Sequence, residues 1–188
     1  MILALSGPSG IGKGFVAEHL LKAYPFVKEL RWFTTRPPRQ GENGKNRICI
    51  SETEFSNLSK AGKLVLIQKL YGYQYALNRE DLLSRDVFLT EIHPGNIEKA
   101  LEINPEIVAI GLVTFDLSLL HKRLSVVRKT ESPLEIEKRI AVAQSEVETI
   151  LRHRSLFASI IEVTRDSESS VAEQVLTVIA SHLKEKGV

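Results

Sequence analysis

A glycine-rich stretch near the start of the chain, GPSGIGKG at residues 7–14, constrains the fold more than any other feature. It follows the apolar run MILALS and precedes FVAEHLLKAY, which reads as a helix. The stretch matches the Walker A pattern G-x-x-x-x-G-K, in which backbone N–H groups and a helix N-terminus bind phosphate groups. The sequence therefore predicts a strand, a phosphate-binding loop and a helix, with Lys13 reaching the β- and γ-phosphates of a nucleoside triphosphate, ATP.

The same loop predicts which residues contact the nucleotide, and it lacks a side chain that usually binds magnesium. The position after the lysine, where many such loops carry a Ser or Thr that binds Mg²⁺, is Gly14. Magnesium, expected with ATP, would then be held mainly by phosphate oxygens, water or an acid elsewhere in the chain, and its protein ligands stay unassigned. The residues predicted to bind ATP are Gly7, Ser9, Gly10, Ile11, Gly12, Lys13 and Gly14.

Length and composition exclude several other classes of protein. A chain of 188 residues with 43% hydrophobic and 26% charged residues suits a single globular domain. The net charge of +2 is too small to indicate nucleic-acid or membrane binding by itself. The one cysteine, Cys49, excludes an internal disulfide and a cysteine-rich zinc site, and is expected to be a small core residue. No stretch approaches the roughly 20 apolar residues of a membrane span, so a soluble cytoplasmic protein is predicted.

Apolar runs and helical patterns alternate along the chain. A helix is expected from Pro133, with Ser132 as its cap and an apolar stripe that begins at Ile136. Buried parallel strands separated by helices predict a three-layer α/β fold with a doubly wound parallel sheet. The segment 34–77 departs from this alternation and is expected to form a small inserted lobe. The runs that read as strands are residues 2–5, 29–33, 86–90, 107–113 and 158–163.

A second motif, WFTTRPPRQGENG at residues 32–44, adds a family resemblance. Together with the phosphate-binding loop, it resembles the guanylate kinase family, in which a T-T-R-x-P-R-x-G-E stretch binds the phosphate of the acceptor nucleotide. Arginine suits this task because its guanidinium group stays charged and binds phosphate bidentately. The residues that the resemblance assigns to the acceptor phosphate are Arg36, Arg39, Arg47, which replaces a family tyrosine, and Tyr75.

The resemblance extends over nearly the whole chain and implies one guanylate kinase-like domain at residues 1–188. Residues 34–77 correspond to the acceptor-binding lobe, and residues 123–139 correspond to the lid. Arg128 and Arg139 fall at the family's two lid arginines. Because phosphoryl transfer depends mostly on positioning and positive charge, these two arginines and Lys13 are the expected catalytic residues.

The chain departs from the family where the acceptor's base is expected. Every position that reads guanine in the family is apolar or changed here. A site without partners for guanine's polar edge leaves those groups unpaired, at a cost of about 1–3 kcal/mol each. A glutamate, a hydroxyl residue, a serine and two aspartates of the family are replaced by Leu66, Leu77, Trp32, Thr90 and Ile92.

Three functions therefore stay open. The resemblance makes GMP the default acceptor of an ATP-dependent phosphoryl transfer. The changed positions favour another small phosphorylated acceptor, such as ribose 1,5-bisphosphate, whose kinases also resemble guanylate kinases. The third is a non-catalytic guanylate kinase-like binding module, but such modules typically lose a working phosphate-binding loop, whereas Lys13 and its glycines are intact here.

Overall fold

A five-stranded parallel sheet forms the centre of the molecule, with strand order β2-β7-β1-β8-β9. The structure, a computed structural model, describes residues 1–38, 47–70, 72–127, 132–165 and 167–187. Every residue of β1 and β8 is buried, which explains why these strands read as continuous apolar runs. The strands are β1 (Ile2–Ser6), β2 (Lys28–Glu29), β7 (Phe88–Glu91), β8 (Ile107–Val113) and β9 (Ser159–Glu162).

Helices cover both faces of this sheet and confirm the three-layer α/β prediction. On one face, α1 and α7 pack against Leu3 and Leu5 of β1; on the other, α4 and α6 pack around Ala109 of β8. None of the helices in the described ranges is long and apolar enough to cross a membrane. The helices are α1 (Lys13–Ala23), α2 (Glu52–Lys60), α3 (Arg79–Leu82), α4 (Ile97–Ile103), α5 (Leu117–Val127), α6 (Pro133–Arg152) and α7 (Glu168–Glu185).

A second, four-stranded sheet has the order β4-β3-β6-β5 and lies within residues 32–78, around the segment predicted to form a lobe. Strands β3 and β4 are parallel, and the other two pairs are antiparallel. One face of this sheet packs on α2 through a small core of Phe55, Leu64 and Ala76. Its strands are β3 (Trp32–Thr34), β4 (Arg47–Cys49), β5 (Leu64–Leu70) and β6 (Tyr73–Asn78).

Two sequence predictions about these strands are wrong. Residues 29–33 do not form one strand, because β2 ends at Glu29 in the first sheet and β3 begins at Trp32 in the second. The sequence run cannot reveal such a change of sheet, because Leu30 between the two strands is as buried as Trp32 and leaves the apolar pattern unbroken. Cys49 is exposed rather than part of the core, because it ends β4, an edge strand of the second sheet.

The start of α6 is fixed by local hydrogen bonds, as its sequence predicts. The Ser132 hydroxyl accepts a hydrogen bond from the backbone N–H of Glu135, whose carboxylate accepts one from the backbone N–H of Ser132. These interactions form a capping box, with Pro133 at the first helical position. The Ser132 backbone N–H, and then its hydroxyl, lower the pKa of Glu135. The cap sets where α6, the helix that carries Arg139, begins.

Candidate active site

The loop between β1 and α1 has the backbone conformation that its glycines predict. Gly7, Gly10 and Gly12 have φ angles of +147°, +84° and +111°, in the region that other residues rarely adopt. A Cβ atom on Gly7 would lie only 2.4 Å from the backbone carbonyl oxygen of Leu112 in the adjacent strand β8. The loop therefore needs glycine both for its conformation and for its close approach to the sheet.

Lys13, the first residue of α1, folds back over this loop. Its Nζ atom donates hydrogen bonds to the carbonyl oxygens of Gly7 and Pro8, at 2.7 and 3.1 Å. It also lies 3.7 Å from the carboxylate of Glu91, which ends β7 beside β1. The lysine side chain is only 13% exposed, and the glutamate side chain is 50% exposed. The ammonium group is thus held at the loop, with a carboxylate within reach of the same space.

The loop opens onto a cavity of about 970 Å³, a volume that suits a nucleotide. The second sheet contributes Arg47 to its lining, and α5 contributes Lys122 and Arg123. Basic side chains outnumber acidic ones among the lining residues, so the cavity suits a polyanion. Of the residues predicted to bind ATP, the cavity is lined by Ser9, Gly10, Gly12, Lys13 and Gly14.

Arg123 supports the loop from the side of α5. One end of its guanidinium group donates to the carbonyl oxygen of Ile11 at 2.9 Å, and the other pairs with Glu168 of α7 at 2.7 Å. The side chain is 17% exposed. It therefore ties the loop to two helices that follow it by more than a hundred residues. The sequence places Arg123 at the start of the predicted lid but gives no sign of this contact.

A smaller polar cluster lies farther along the cavity wall. Asp116 accepts hydrogen bonds from the Ser118 hydroxyl at 2.5 Å and from the Arg165 guanidinium at 3.1 Å. The serine hydroxyl, and to a smaller extent the arginine, hold the pKa of Asp116 below its usual value. The carboxylate therefore stays ionised and keeps Ser118 and Arg165 in place at the edge of the cavity.

The residues predicted to bind the acceptor phosphate are only partly brought together. Arg47 lines the cavity that also holds Lys13. Arg36 is buried: its backbone N–H donates to the Thr34 hydroxyl, and its guanidinium group donates to the Pro37 carbonyl oxygen. Of the described residues on the predicted list, Arg36, Tyr75 and Arg139 do not line this cavity. Arg39 and Arg128 lie outside the described residues.

The positions that the resemblance matches to guanine-reading residues lie close together, and their side chains are buried. The Trp32 indole N–H donates to the Thr90 hydroxyl at 3.2 Å and to the Glu91 carbonyl oxygen at 3.0 Å. Leu66 has φ +51°, an unusual conformation for leucine, yet it is 1% exposed. The apolar members of this group belong to one buried cluster, Trp32, Leu66, Leu77 and Ile92, each at most 8% exposed.

Two contacts between polar side chains were not predicted from the sequence. The Asn96 side-chain amide donates to the Gln68 carbonyl oxygen at 2.7 Å. His93 accepts a hydrogen bond at Nδ1 from the backbone N–H of Gly95, so its Nε2 carries the hydrogen and contacts the Glu146 carboxylate at 3.0 Å. Both contacts join the turn after β7 to a distant element. Their partners are far apart in sequence, and no local pattern reveals them.

Comparison with known proteins gives close relatives. The chain is 34% identical over 156 residues to a guanylate kinase of Clostridioides difficile, covering 80% of this chain and 75% of the relative. It is 37% identical over 154 residues to a guanylate kinase of Lactobacillus acidophilus, covering 78% and 74%. The chain belongs to the guanylate kinase family. The chain is an ATP-dependent phosphotransferase.

Solved structures agree with this guanylate kinase fold. A guanylate kinase from Anaplasma phagocytophilum superposes with a TM-score of 0.70 at 20% identity, over 96% of this chain and 85% of that one. A shikimate kinase from Acinetobacter baumannii gives a TM-score of 0.53 at 16% identity, over 96% and 93%. No profile of a known protein family matches the sequence. The predicted guanylate kinase-like fold is confirmed.

Proposed function

We propose that the protein transfers the γ-phosphoryl group of ATP to the phosphate group of a small acceptor, with GMP as the first acceptor to test. The observation that carries this proposal is the cavity in which Lys13 and the phosphate-binding loop face Arg47 of the second sheet. The name of the relatives supports GMP. Cations on both sides of one cavity are what two phosphorylated substrates need for a direct transfer.

In this proposal the loop and Lys13 hold the β- and γ-phosphates of ATP. Arg47, with the other predicted acceptor residues Arg36, Arg39 and Tyr75, holds the acceptor phosphate in line with the γ-phosphorus. An oxygen of the acceptor phosphate attacks that phosphorus, the bond to the bridging oxygen breaks, and ADP leaves. The charge that spreads over the transferred group is neutralised by lysine and by the lid arginines, Arg128 and Arg139.

The residues present also fit a magnesium ion. Mg²⁺ is typically bound by one or two carboxylates, with phosphate oxygens and water completing six ligands. Glu91 supplies a half-exposed carboxylate on the wall of the cavity, 3.7 Å from Lys13 Nζ. We assign Glu91 as the protein residue that would hold Mg²⁺. The bound ion would neutralise charge on the β- and γ-phosphates.

Substituting Gly14 with Ser tests where magnesium is held. A Cβ atom at Gly14 would meet no atom within 4 Å, so a serine fits without displacing a neighbour. Its hydroxyl would stand where many phosphate-binding loops place a magnesium ligand. We expect Gly14→Ser to lower the Mg²⁺ concentration for half-maximal ADP release about fivefold, the effect of roughly one added polar contact. Gly14→Ala adds the carbon without the hydroxyl and should leave this concentration unchanged; equal behaviour of both variants would mean that Mg²⁺ is not bound beside residue 14.

A second candidate acceptor is favoured by the buried cluster of Trp32, Leu66, Leu77 and Ile92. These side chains are at most 8% exposed and offer little surface to a bound base. An acceptor without guanine, such as ribose 1,5-bisphosphate, would not need polar partners at these positions. Guanine bound beside them would leave polar groups unpaired, at about 1–3 kcal/mol each.

The test is ADP release from ATP and Mg²⁺ across a panel of acceptors: nucleoside monophosphates, their deoxy forms, and sugar mono- and bisphosphates. We expect at least one acceptor to be used at an ordinary kinase rate of about 1–100 per second. Turnover with GMP alone supports a guanylate kinase activity. Turnover only with another acceptor supports a change of specificity. If no acceptor of the panel is phosphorylated while ATP still binds, the proposed phosphate-bearing acceptor is wrong.

A further inference from the structure

We propose that Gln68 and Asn96 form a recognition element for the end of the acceptor that carries no phosphate. The chemistry that this pair would recognise is an uncharged group with a hydrogen-bond donor beside an acceptor. The edge of a nucleobase and the hydroxyls of a sugar both meet this description. This inference rests on the proposed function, because it concerns the acceptor of that reaction.

Gln68 lies in the row of residues that crosses the second sheet at the predicted phosphate-binding tyrosine. It is the cross-strand partner of Tyr75 on β6, and Tyr75 is the partner of Thr34 on β3. Residues paired in this way lie on the same face of a sheet, with Cβ atoms about 5 Å apart. An acceptor with its phosphate near Tyr75 would therefore have its other end within reach of Gln68.

An irregularity in β5 sets this position of Gln68. The pairing of β5 with β6 shifts between Val65 and Gln68, and Leu66 within the shift has φ +51°. Such bulges re-aim side chains and are common beside active sites. A leucine with positive φ is itself unfavourable, and strained residues of this kind cluster at functional sites. β5 is therefore strained at Leu66, and the bulge places Gln68 opposite Tyr75.

Asn96 brings the other half of the pair from the central part of the molecule. It ends the short 3-10 turn Pro94–Asn96 that follows β7, and its amide meets the Gln68 amide at 2.7 Å. Both residues are partly buried. The contact joins β5 of the second sheet to the end of β7, where Glu91 reaches the cavity. The pair therefore links the second sheet, which carries the predicted acceptor residues Arg47 and Tyr75, to the strand whose last residue lines the cavity.

The chemistry of two paired amides leaves hydrogen-bonding capacity for a ligand. Each carboxamide has two N–H donors and a carbonyl oxygen with two lone pairs, and their mutual bond uses one donor and one lone pair. With Asn96 donating, the pair can still offer the Gln68 amide N–H₂ and the Asn96 carbonyl oxygen. Rotating both amides by 180° exchanges these roles and again offers one donor and one acceptor. The element is neutral, so it suits a hydroxyl or a base edge rather than a second phosphate.

The experiment compares Gln68→Ala and Asn96→Ala with a matched control, Gln74→Ala. Gln74 adjoins Tyr75 on β6, so its side chain lies on the opposite face of the same sheet. For the acceptor that the panel identifies, we expect KM to rise about tenfold in either variant of the pair, with kcat changed much less. The double variant should resemble the single ones, because the two amides act as a unit. Gln74→Ala should behave as the unsubstituted protein.

Ethyl phosphate separates a direct contact from a general loosening of the site. It carries the phosphate but no polar end, so its inhibition constant should be the same in Gln68→Ala and in the unsubstituted protein. A merely structural role of the pair would weaken ethyl phosphate as well. A rise in KM with GMP places the nucleoside end of the acceptor at the pair, whereas a rise with ribose 5-phosphate, whose other end carries only hydroxyls, places sugar hydroxyls there.

Acceptor binding can be measured without turnover by the fluorescence of Trp32, the one tryptophan of the chain. This measurement allows the inference and the proposed function to be tested separately. If an acceptor is phosphorylated but the pair variants match Gln74→Ala in KM, the inference is overturned and the function stands. If acceptors bind without being phosphorylated, and Gln68→Ala weakens their binding, the function falls and the inference stands. If no acceptor binds or reacts, both are overturned.

Discussion

Lys13→Ala is expected to lower the rate of ADP release at saturating substrates by about 10²–10³-fold, the effect of removing one positioned charge from a transition state. In the structure the ammonium group is held at the phosphate-binding loop by the Gly7 and Pro8 carbonyl oxygens. No other described side chain makes these two hydrogen bonds. The measurement is the initial rate with the acceptor that the panel identifies.

The matched control for this variant is Lys22→Ala, which removes an exposed lysine from the last turn of the same helix. It should leave the rate unchanged. Because alanine is the best helix former, neither substitution should unfold α1, and thermal unfolding of both variants checks this point. Full activity of Lys13→Ala in a folded protein would overturn the assignment of the loop as the site of transfer.

Gly7→Ala is expected to have the largest effect on stability. The new methyl group would lie 2.4 Å from the carbonyl oxygen of Leu112, a backbone atom of β8, which is held between β1 and β9 and cannot easily move aside. Overpacking of this kind costs about 1–3 kcal/mol, and the φ angle of +147° adds strain. We expect the free energy of unfolding to fall by about 2–4 kcal/mol, and Tm by roughly 5–15 °C.

Denaturant and thermal unfolding, followed by circular dichroism, measure this effect. Gly14→Ala is the control in the same loop, because a Cβ atom there meets nothing within 4 Å. Its stability should be unchanged or rise by up to about 1 kcal/mol, because Gly14 lies in the first turn of α1 and alanine favours a helix more than glycine does. Equal stability of the two variants would mean that the loop can shift away from β8.

The parts of the fold that local chemistry determines could be predicted from the sequence. Three glycines before Lys13 fit only a tight turn between a strand and a helix, and the structure has this turn. Ser132 and Pro133 specify a helix start through their own hydrogen-bonding and φ preferences, and α6 begins there. The parallel sheet followed from apolar runs long enough to be buried on both faces.

The parts that depend on distant residues could not be predicted. The contact of Lys13 with Glu91 joins residues 78 positions apart, and that of Gln68 with Asn96 joins residues 28 apart. These contacts depend on where β5, β7 and the phosphate-binding loop lie relative to one another. The periodicity of the sequence does not encode that arrangement. The roles proposed for Arg39 and Arg128 stay predictions.

The buried cluster around Leu66 limits how acceptor specificity could evolve. Leu66→Glu alone would place a carboxylate at a position that is 1% exposed, among Trp32, Leu77 and Ile92. An unpaired buried charge of this kind costs several kcal/mol, a large part of a typical protein's stability. A single polar substitution within this cluster is therefore expected to destabilise the fold, so a change of acceptor specificity at these positions would need several coupled substitutions.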